Sequence, residues 1–268
     1  MATTIQSTKS QSWKGQGPIL WGDYDPTTGT RDMAYLTGVE AFPCGNRTLA
    51  TTLTKETTTL KESCSGQRLD LEEIAGNAEM TFTLELQHIS PRLLAHYLYG
   101  QAVDKAAGTV TAETLPTLAA GDNVFLRHPN ASSIVIEDST SGTPIELVED
   151  THYEIKSPEH GHIKILALPT SPDAVQPFRV DYAHAAYVNI AAFTQANAVR
   201  KGIVFNGINH NGRKARLIMP CCSMVPGGDY NWLSDEPITM QFTGRVLYAS
   251  ELGNDPEYGN FARVDWLD

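Results

Sequence analysis

The sequence predicts a mainly β protein: a β-barrel or sandwich flanked by one α-helix, with a smaller immunoglobulin-like β-sandwich inserted into it. Three observations predict this. Apolar residues alternate with polar ones through Met80, Phe82, Leu84 and Leu86, and again through Ile238, Met240, Phe242, Val246 and Tyr248. That period of two belongs to strands buried on one face. A single short segment, Ser90 to Gly100, carries helix signals. From residue 104 to 186 the chain breaks into short strand-like runs separated by turn formers.

The elements follow in order. Residues 1–29 form a mobile N-terminal arm and leading segment; MATTIQSTKSQSWKGQG lacks the apolar stretch of a signal peptide. A Thr-rich strand follows from Lys55, then a loop from Ser63 to Asn77 that is long for a hairpin and holds Leu69, Leu71, Ile74 and charges of both signs. After the Met80–Leu86 strand, Ser90 supplies an N-cap hydroxyl and Pro91 takes the first helical position, where its missing N–H is no loss. Leu93, Leu94, Tyr97 and Leu98 make the apolar helix face, and Gly100 is expected to end the helix as a left-handed cap. Burying that face contributes roughly 1.5–3 kcal/mol per large side chain, so a sheet, not intrinsic propensity, holds so short a helix.

In the insert, Val124–Leu126, Ser133–Glu137, Tyr153–Lys156, His162–Leu166 and Phe178–Tyr182 are the strand candidates. Residues 104–186 are thus an inserted sandwich, and residues 30–103 with 187–268 close the main domain around it. Beyond it, Asn209-His-Asn-Gly212 marks a hairpin between two apolar runs, and Pro237–Ala249 is the last large strand.

Bulk properties narrow the function. The 268 residues are 41% hydrophobic, enough for a full core, and the net charge is −11 from 31 acidic and 20 basic residues. Proteins that grip nucleic acid or anionic membranes by charge show the opposite bias. Arg213, Lys214 and Arg216 are the one dense basic cluster and sit beside a turn, as a solvated strand end would. No window has the roughly 20 apolar residues of a membrane-spanning helix. Cys44, Cys64, Cys221 and Cys222 lack zinc-ribbon spacing and read as free, buried thiols.

No catalytic constellation emerges, and neither a cofactor nor a metal is expected. His160 and His162 form an H-x-H that could bind a metal with His152 or His184, but no further ligand stands at a fixing distance. Asp70, Glu72 and Glu73 could pair as carboxylates, yet no EF-hand pattern surrounds them. The glycines form no phosphate loop, no serine lies in G-x-S-x-G, and Cys221 and Cys222 lack a nearby histidine.

The order of pieces from KESCSGQR through the alternating strand to S-P-R-L-L-A-H-Y-L-Y-G resembles the tail tube (major tail) proteins of bacteriophages with long non-contractile tails. The likeness extends to Gly15–Phe42, to GIVFNGINHNGRKARLIMP at 202–220 and to PITMQFTGRVLYA at 237–249, somewhat more than half the chain. The resemblance implies a tail-tube β-barrel or sandwich whose subunits form hexameric rings, stacked into a hollow tube that conducts DNA at ejection. Its partners would be further copies of itself and the tape-measure, tail-tip and tail-terminator proteins. DNA would pass without tight binding, no membrane would be involved, and the protein would sit in the virion tail after assembly in the host bacterial cytoplasm. The family's loop between long strands reaches neighbouring subunits, which by position implicates Arg68, Asp70, Leu71, Glu72 and Glu73. Six copies would carry six times −11, a formal −66, and Glu56, Glu62, Glu79 and Glu85 on the polar faces of the long strands are the candidates for the bore. The alternative is a receptor-binding or baseplate-type tail β protein that does not polymerise.

Overall fold

The computed structural model describes residues 13–26, 36–42, 46–195, 200–250 and 259–267. The expected arm over residues 1–12 lies outside them. The protein is mainly β, with several antiparallel sheets and, among the described residues, one short α-helix. Among the described residues no helix is long and apolar enough to cross a membrane. The chain divides into two compact units, Met1–Gln101 with Ala192–Asp268, and Ala102–Ala191.

The first unit is built on a nine-stranded sheet. Its strands are β1 (Gly15–Gln16), β2 (Ile19–Tyr24), β3 (Leu36–Phe42), β4 (Asn46–Lys61) and β5 (Asp70–Leu86), then, after the helix and the second unit, β14 (Arg200–Asn209), β15 (Lys214–Pro226), β16 (Met240–Val246) and β17 (Arg263–Leu267). The path runs β3-β2-β14-β15-β16-β5-β4, with β1 added to β14 and β17 to β15. The two ends of that path, β3 and β4, are consecutive in sequence, with Phe42 ending one and Asn46 beginning the other. Four Cα steps span at most about 15 Å, so the sheet curls until its edges approach. The concave side holds one core, in which Trp21 and Phe42 from one end meet Phe82, Leu84 and Leu86 from the other.

The alternation legible in the sequence sets this register. Met240 faces Leu86, Phe242 faces Leu84 and Val246 faces Met80 across β16 and β5, all buried. Gly244, on the same face, is required: a Cβ there would lie 2.2 Å from the Ser223 carbonyl oxygen and 2.7 Å from the Phe82 ring. The β14–β15 hairpin turns where the sequence places it. The Asn209 side chain accepts from the N–H groups of Asn211 and Arg213, each at 2.9 Å, and Gly212 adopts φ +81°.

Helix α1 (Pro91–Tyr97) lies on the core. Ser90 Oγ accepts from Leu93 N–H at 3.1 Å, the expected N-cap. The C-terminus differs from the expectation. Tyr99, not Gly100, takes the left-handed conformation, at φ +50°. Tyr99 N–H bonds the His96 carbonyl and Gly100 N–H bonds the Ala95 carbonyl, at 3.2 and 2.7 Å, the two bonds of a Schellman motif. Stacking of Tyr99 on Phe193, with centroids 6.1 Å apart, accompanies the strained backbone. The buried helix residues are Leu93, Ala95 and Tyr97, while Leu94 and Leu98 are only partly covered.

The second unit is a small β-sandwich. One sheet orders β10 (Tyr153–Ser157), β11 (His162–Ile165) and β8 (Asn123–Phe125); the other orders β7 (Gly108–Thr114), β12 (Arg179–His184) and β9 (Ala131–Glu137). Ile163 and Ile165 from one sheet meet Ile136, Val180 and Tyr182 from the other in a shared core. The unit begins and ends with β6 (Gln101–Lys105) and β13 (Tyr187–Ala191), which pair with each other. The expected edge at 104 falls inside β6, and the one at 186 lies just before β13. The buried Asp138 carboxylate accepts from the N–H groups of Thr140, Ile145 and Val175. Although burial opposes ionisation, these bonds and the Thr140 hydroxyl hold Asp138 at a pKa of about 2.

Candidate functional site

The most unusual feature is a ribbon made from β4 and β5. β16 pairs only with Met80–Leu86, so from Thr54 and Glu79 outward the two strands pair, among the described residues, with each other alone, to Lys61 and Asp70. At about 3.3 Å per residue, the projection spans roughly 25–30 Å. An isolated two-stranded ribbon is at best marginally stable in water. This one nevertheless exposes Leu53, Leu60, Leu69, Leu71 and Ile74, the first at 73%. Thr54, Thr57, Thr58 and Thr59 suit an extended, solvated strand.

Most of the expected Ser63–Asn77 loop is therefore strand. Asp70, Leu71, Glu72 and Glu73 belong to β5, and the true loop is Glu62–Leu69. The β propensity of Thr57–Thr59 carries the pairing further than the charge-rich partner segment suggests; Thr59 faces Glu73 and Leu60 faces Glu72. Arg68 stays in the loop, exposed, at φ +53°. Lys61 and Asp70 close the ribbon with a 3.0 Å ion pair.

The four acidic bore candidates do not share one strand face. Glu62 lies beyond β4 and organises the loop. Its carboxylate accepts from the Ser65 hydroxyl and from the N–H groups of Cys64, Ser65 and Leu69. Those bonds, led by the Ser65 hydroxyl, pull it down to about 2. Glu56 sits at a bulge between the Lys55–Ala78 and Thr57–Ala75 pairs. Glu79 and Glu85 do share a face with Thr81 and Thr83, opposite the core. Glu79 pairs with Arg245 at 3.0 Å, and Glu85 accepts from Thr48 at 3.2 Å.

A second exposed surface lies at the turn end of the β14–β15 hairpin. β17 pairs with Lys214–Ile218 of β15, and among the described residues no strand pairs with its outer edge. Val264, Trp266 and Leu267 are 63%, 52% and 47% exposed. Trp266 packs against Trp13 at 5.2 Å, above the small residue Gly207. A groove of about 490 Å³ lies between Ile208, Ala215 and Leu267, rimmed by Lys214 and Arg216. Arg216 and Arg263 both bond Asp265. The sequence flags this basic cluster but not the aromatic pair beside it, because Trp13 and Trp266 are 253 positions apart.

A polar cluster that the sequence does not reveal joins α1 to the sheet. Asp23 of β2 accepts from Arg92 and Lys201, and Arg92 also donates to the Gly38 carbonyl. Trp21 Nε1 donates to Glu40 at 3.3 Å. Burial opposes ionisation of Asp23, but the two cations outweigh it and hold its pKa below the usual range. Lys201 is only 5% exposed; burial pulls its ammonium down and Asp23 opposes that pull.

The H-x-H residues separate. His160 sits in the turn before β11 and bonds Ser157, whereas His162 opens the strand and bonds Asn123. His152 Nδ1 accepts from Val148 N–H, and His184 stacks on His128 at 4.3 Å. Among the described residues no group of three or more His, Cys, Asp or Glu is placed to hold a metal ion. Cys221 and Cys222 are buried and in no disulfide, with burial pushing the Cys222 thiol upward. Cys64 departs from the expectation by lying exposed on the ribbon loop, and Cys44 is outside the described residues.

No curated protein matches this chain. A family model described as "Protein of unknown function UCP028589" matches residues 12–265, and the chain belongs to that family.

Proposed function

We propose that the protein is a structural subunit of a phage tail tube, assembling through rings into a hollow conduit for DNA. The observation that carries this reading is the β4–β5 ribbon. A two-stranded projection with five exposed Leu and Ile side chains gains its stability by lying on another chain. The outer edges of β4 and β17, unpaired among the described residues, support the same reading, since unpaired edges are templates for strand addition. The formal charge of −11 suits a wall along which DNA slides. Over a screening length of about 8–10 Å only residues lining the bore would act on the duplex. Glu79 and Glu85, on the solvent face of the sheet, are the acidic candidates that remain together.

Negative-stain electron microscopy of the purified protein over a concentration series tests this. Stacked rings or hollow tubes are expected. Discrete small particles at every concentration, including after addition of tail-tip complexes, would overturn the reading in favour of a non-polymerising tail protein.

A further inference from the structure

The two exposed surfaces are opposite in charge, and each presents apolar side chains along a strand. On the ribbon, Asp70–Ile74 reads Asp-Leu-Glu-Glu-Ile, three carboxylates interleaved with two apolar side chains. Among the described residues its outer edge is unpaired, because β16 stops at Met80. On the hairpin end, the five-residue β17 likewise has an outer edge unpaired among the described residues. It carries exposed Val264, Trp266 and Leu267; Arg216 and Arg263 bond Asp265, and Lys214, with Arg213 before it, lies beside the Leu267 end of the strand.

We propose that the Asp70–Ile74 edge of one copy docks on β17 and its basic rim in a second copy. This rests on the reading of the chain as a self-assembling subunit, and it names the surfaces that meet. Backbone pairing between two free edges supplies the contact, as in strand addition. Leu71 and Ile74 meet the aromatic and aliphatic face of β17, while Glu72 and Glu73 approach Arg213 and Lys214. Ribbon-to-ribbon association would bring the acidic segments together, so the contact is heterologous. Each copy keeps one ribbon and one docking strand free, which lets the contact propagate into rings or stacks. Nucleic acid on the basic rim is the competing occupant; the adjacent apolar face, which has no use for phosphate, favours the protein strand.

Two charge-reversed chains test the pairing by sedimentation velocity: a ribbon variant, Glu72→Lys with Glu73→Lys, and a rim variant, Arg213→Glu with Lys214→Glu. Glu72, Glu73 and Lys214 are exposed and Arg213 is half-exposed, and circular dichroism checks that each chain stays folded. The unaltered protein is expected to associate and each variant alone to weaken roughly tenfold or more, because like charges then face each other. An equimolar mixture should recover association, since each variant's altered surface complements the other's. In a Cys64→Ser background, oxidation of a chain carrying Leu71→Cys and Val264→Cys should give intermolecular disulfides. Either variant assembling alone like the unaltered chain, or a mixture that stays monomeric, would overturn the docking. If the unaltered protein forms tubes and so do both variants, the tube reading stands and the docking falls. If the mixture recovers only a closed dimer, the docking stands and the tube falls. No association of the unaltered chain at any concentration refutes both. A duplex DNA retained by the rim, lost in the rim variant while assembly is unchanged, would assign the patch to nucleic acid.

Discussion

Lys201 holds its ammonium 4.5 Å from the centre of the Trp21 ring while donating to the Asp23 carboxylate. Arg92, from the first turn of α1, reaches the same carboxylate and lies 5.4 Å from the same ring. One carboxylate and one indole thus tie the helix to β2 and β14.

Removing Asp23 strands two cations. A fully buried pair loses about 3–5 kcal/mol when one partner goes. The Asp23 side chain is 38% exposed, so Asp23→Ala is expected to lose roughly 2 kcal/mol after allowance for solvent. In a double-mutant cycle by urea unfolding, Asp23→Ala with Lys201→Met should lose less than the sum of the two single changes.

His96 makes the core acid-sensitive. Burial first, and then the nearby Lys201 charge, lower its pKa from 6.5 to about 4. Its Nε2 is buried with no hydrogen-bond partner among the described residues. The folded state therefore resists protonation that the unfolded chain accepts. Stability from this group is full above pH 6.5 and declines as pH falls toward 4, by up to roughly 3 kcal/mol. Denaturant titrations at pH 7, 5.5 and 4.5 should show the decline, and His96→Phe, which keeps a ring against Phe242 and Trp21, should flatten it.

The helix anchor is Leu93, fully buried, and not Leu94, which is only partly covered. Leu93→Ala is expected to lose about 2–5 kcal/mol and Leu94→Ala clearly less. Thermal melts of the two variants give the comparison directly.

Glu62 governs the order of the ribbon loop. Glu62→Gln should speed amide hydrogen exchange at Cys64, Ser65 and Leu69 with little change in global melting, because the loop is solvent-exposed. In the unaltered chain the same loosening should appear as pH falls through 4.5 toward 2.

Much of the core was legible because alternation does not depend on distant partners. Met80 to Leu86 and Met240 to Val246 declare their buried faces residue by residue, and Ser90-Pro91 announces the helix. The ribbon was not legible. A strand whose faces are both wet carries no period, and Asp70–Asn77 looks like loop until its Thr-rich partner is seen beside it. Local rules placed the left-handed residue at Gly100, whereas the Phe193 stack and the two closing bonds settle it one position earlier, at Tyr99. The Asp23–Arg92–Lys201 cluster spans 178 positions, beyond the reach of any sequence window.

The pairing of β6 with β13 makes the second unit a cassette with a single port. Its two ends leave side by side, and its core is its own. A foreign domain with neighbouring termini could be spliced between Gln101 and Ala192 without cutting any strand of the nine-stranded sheet. On the tube reading, one such splice would be copied along the whole filament, turning a single gene fusion into a periodic display at the spacing of the rings.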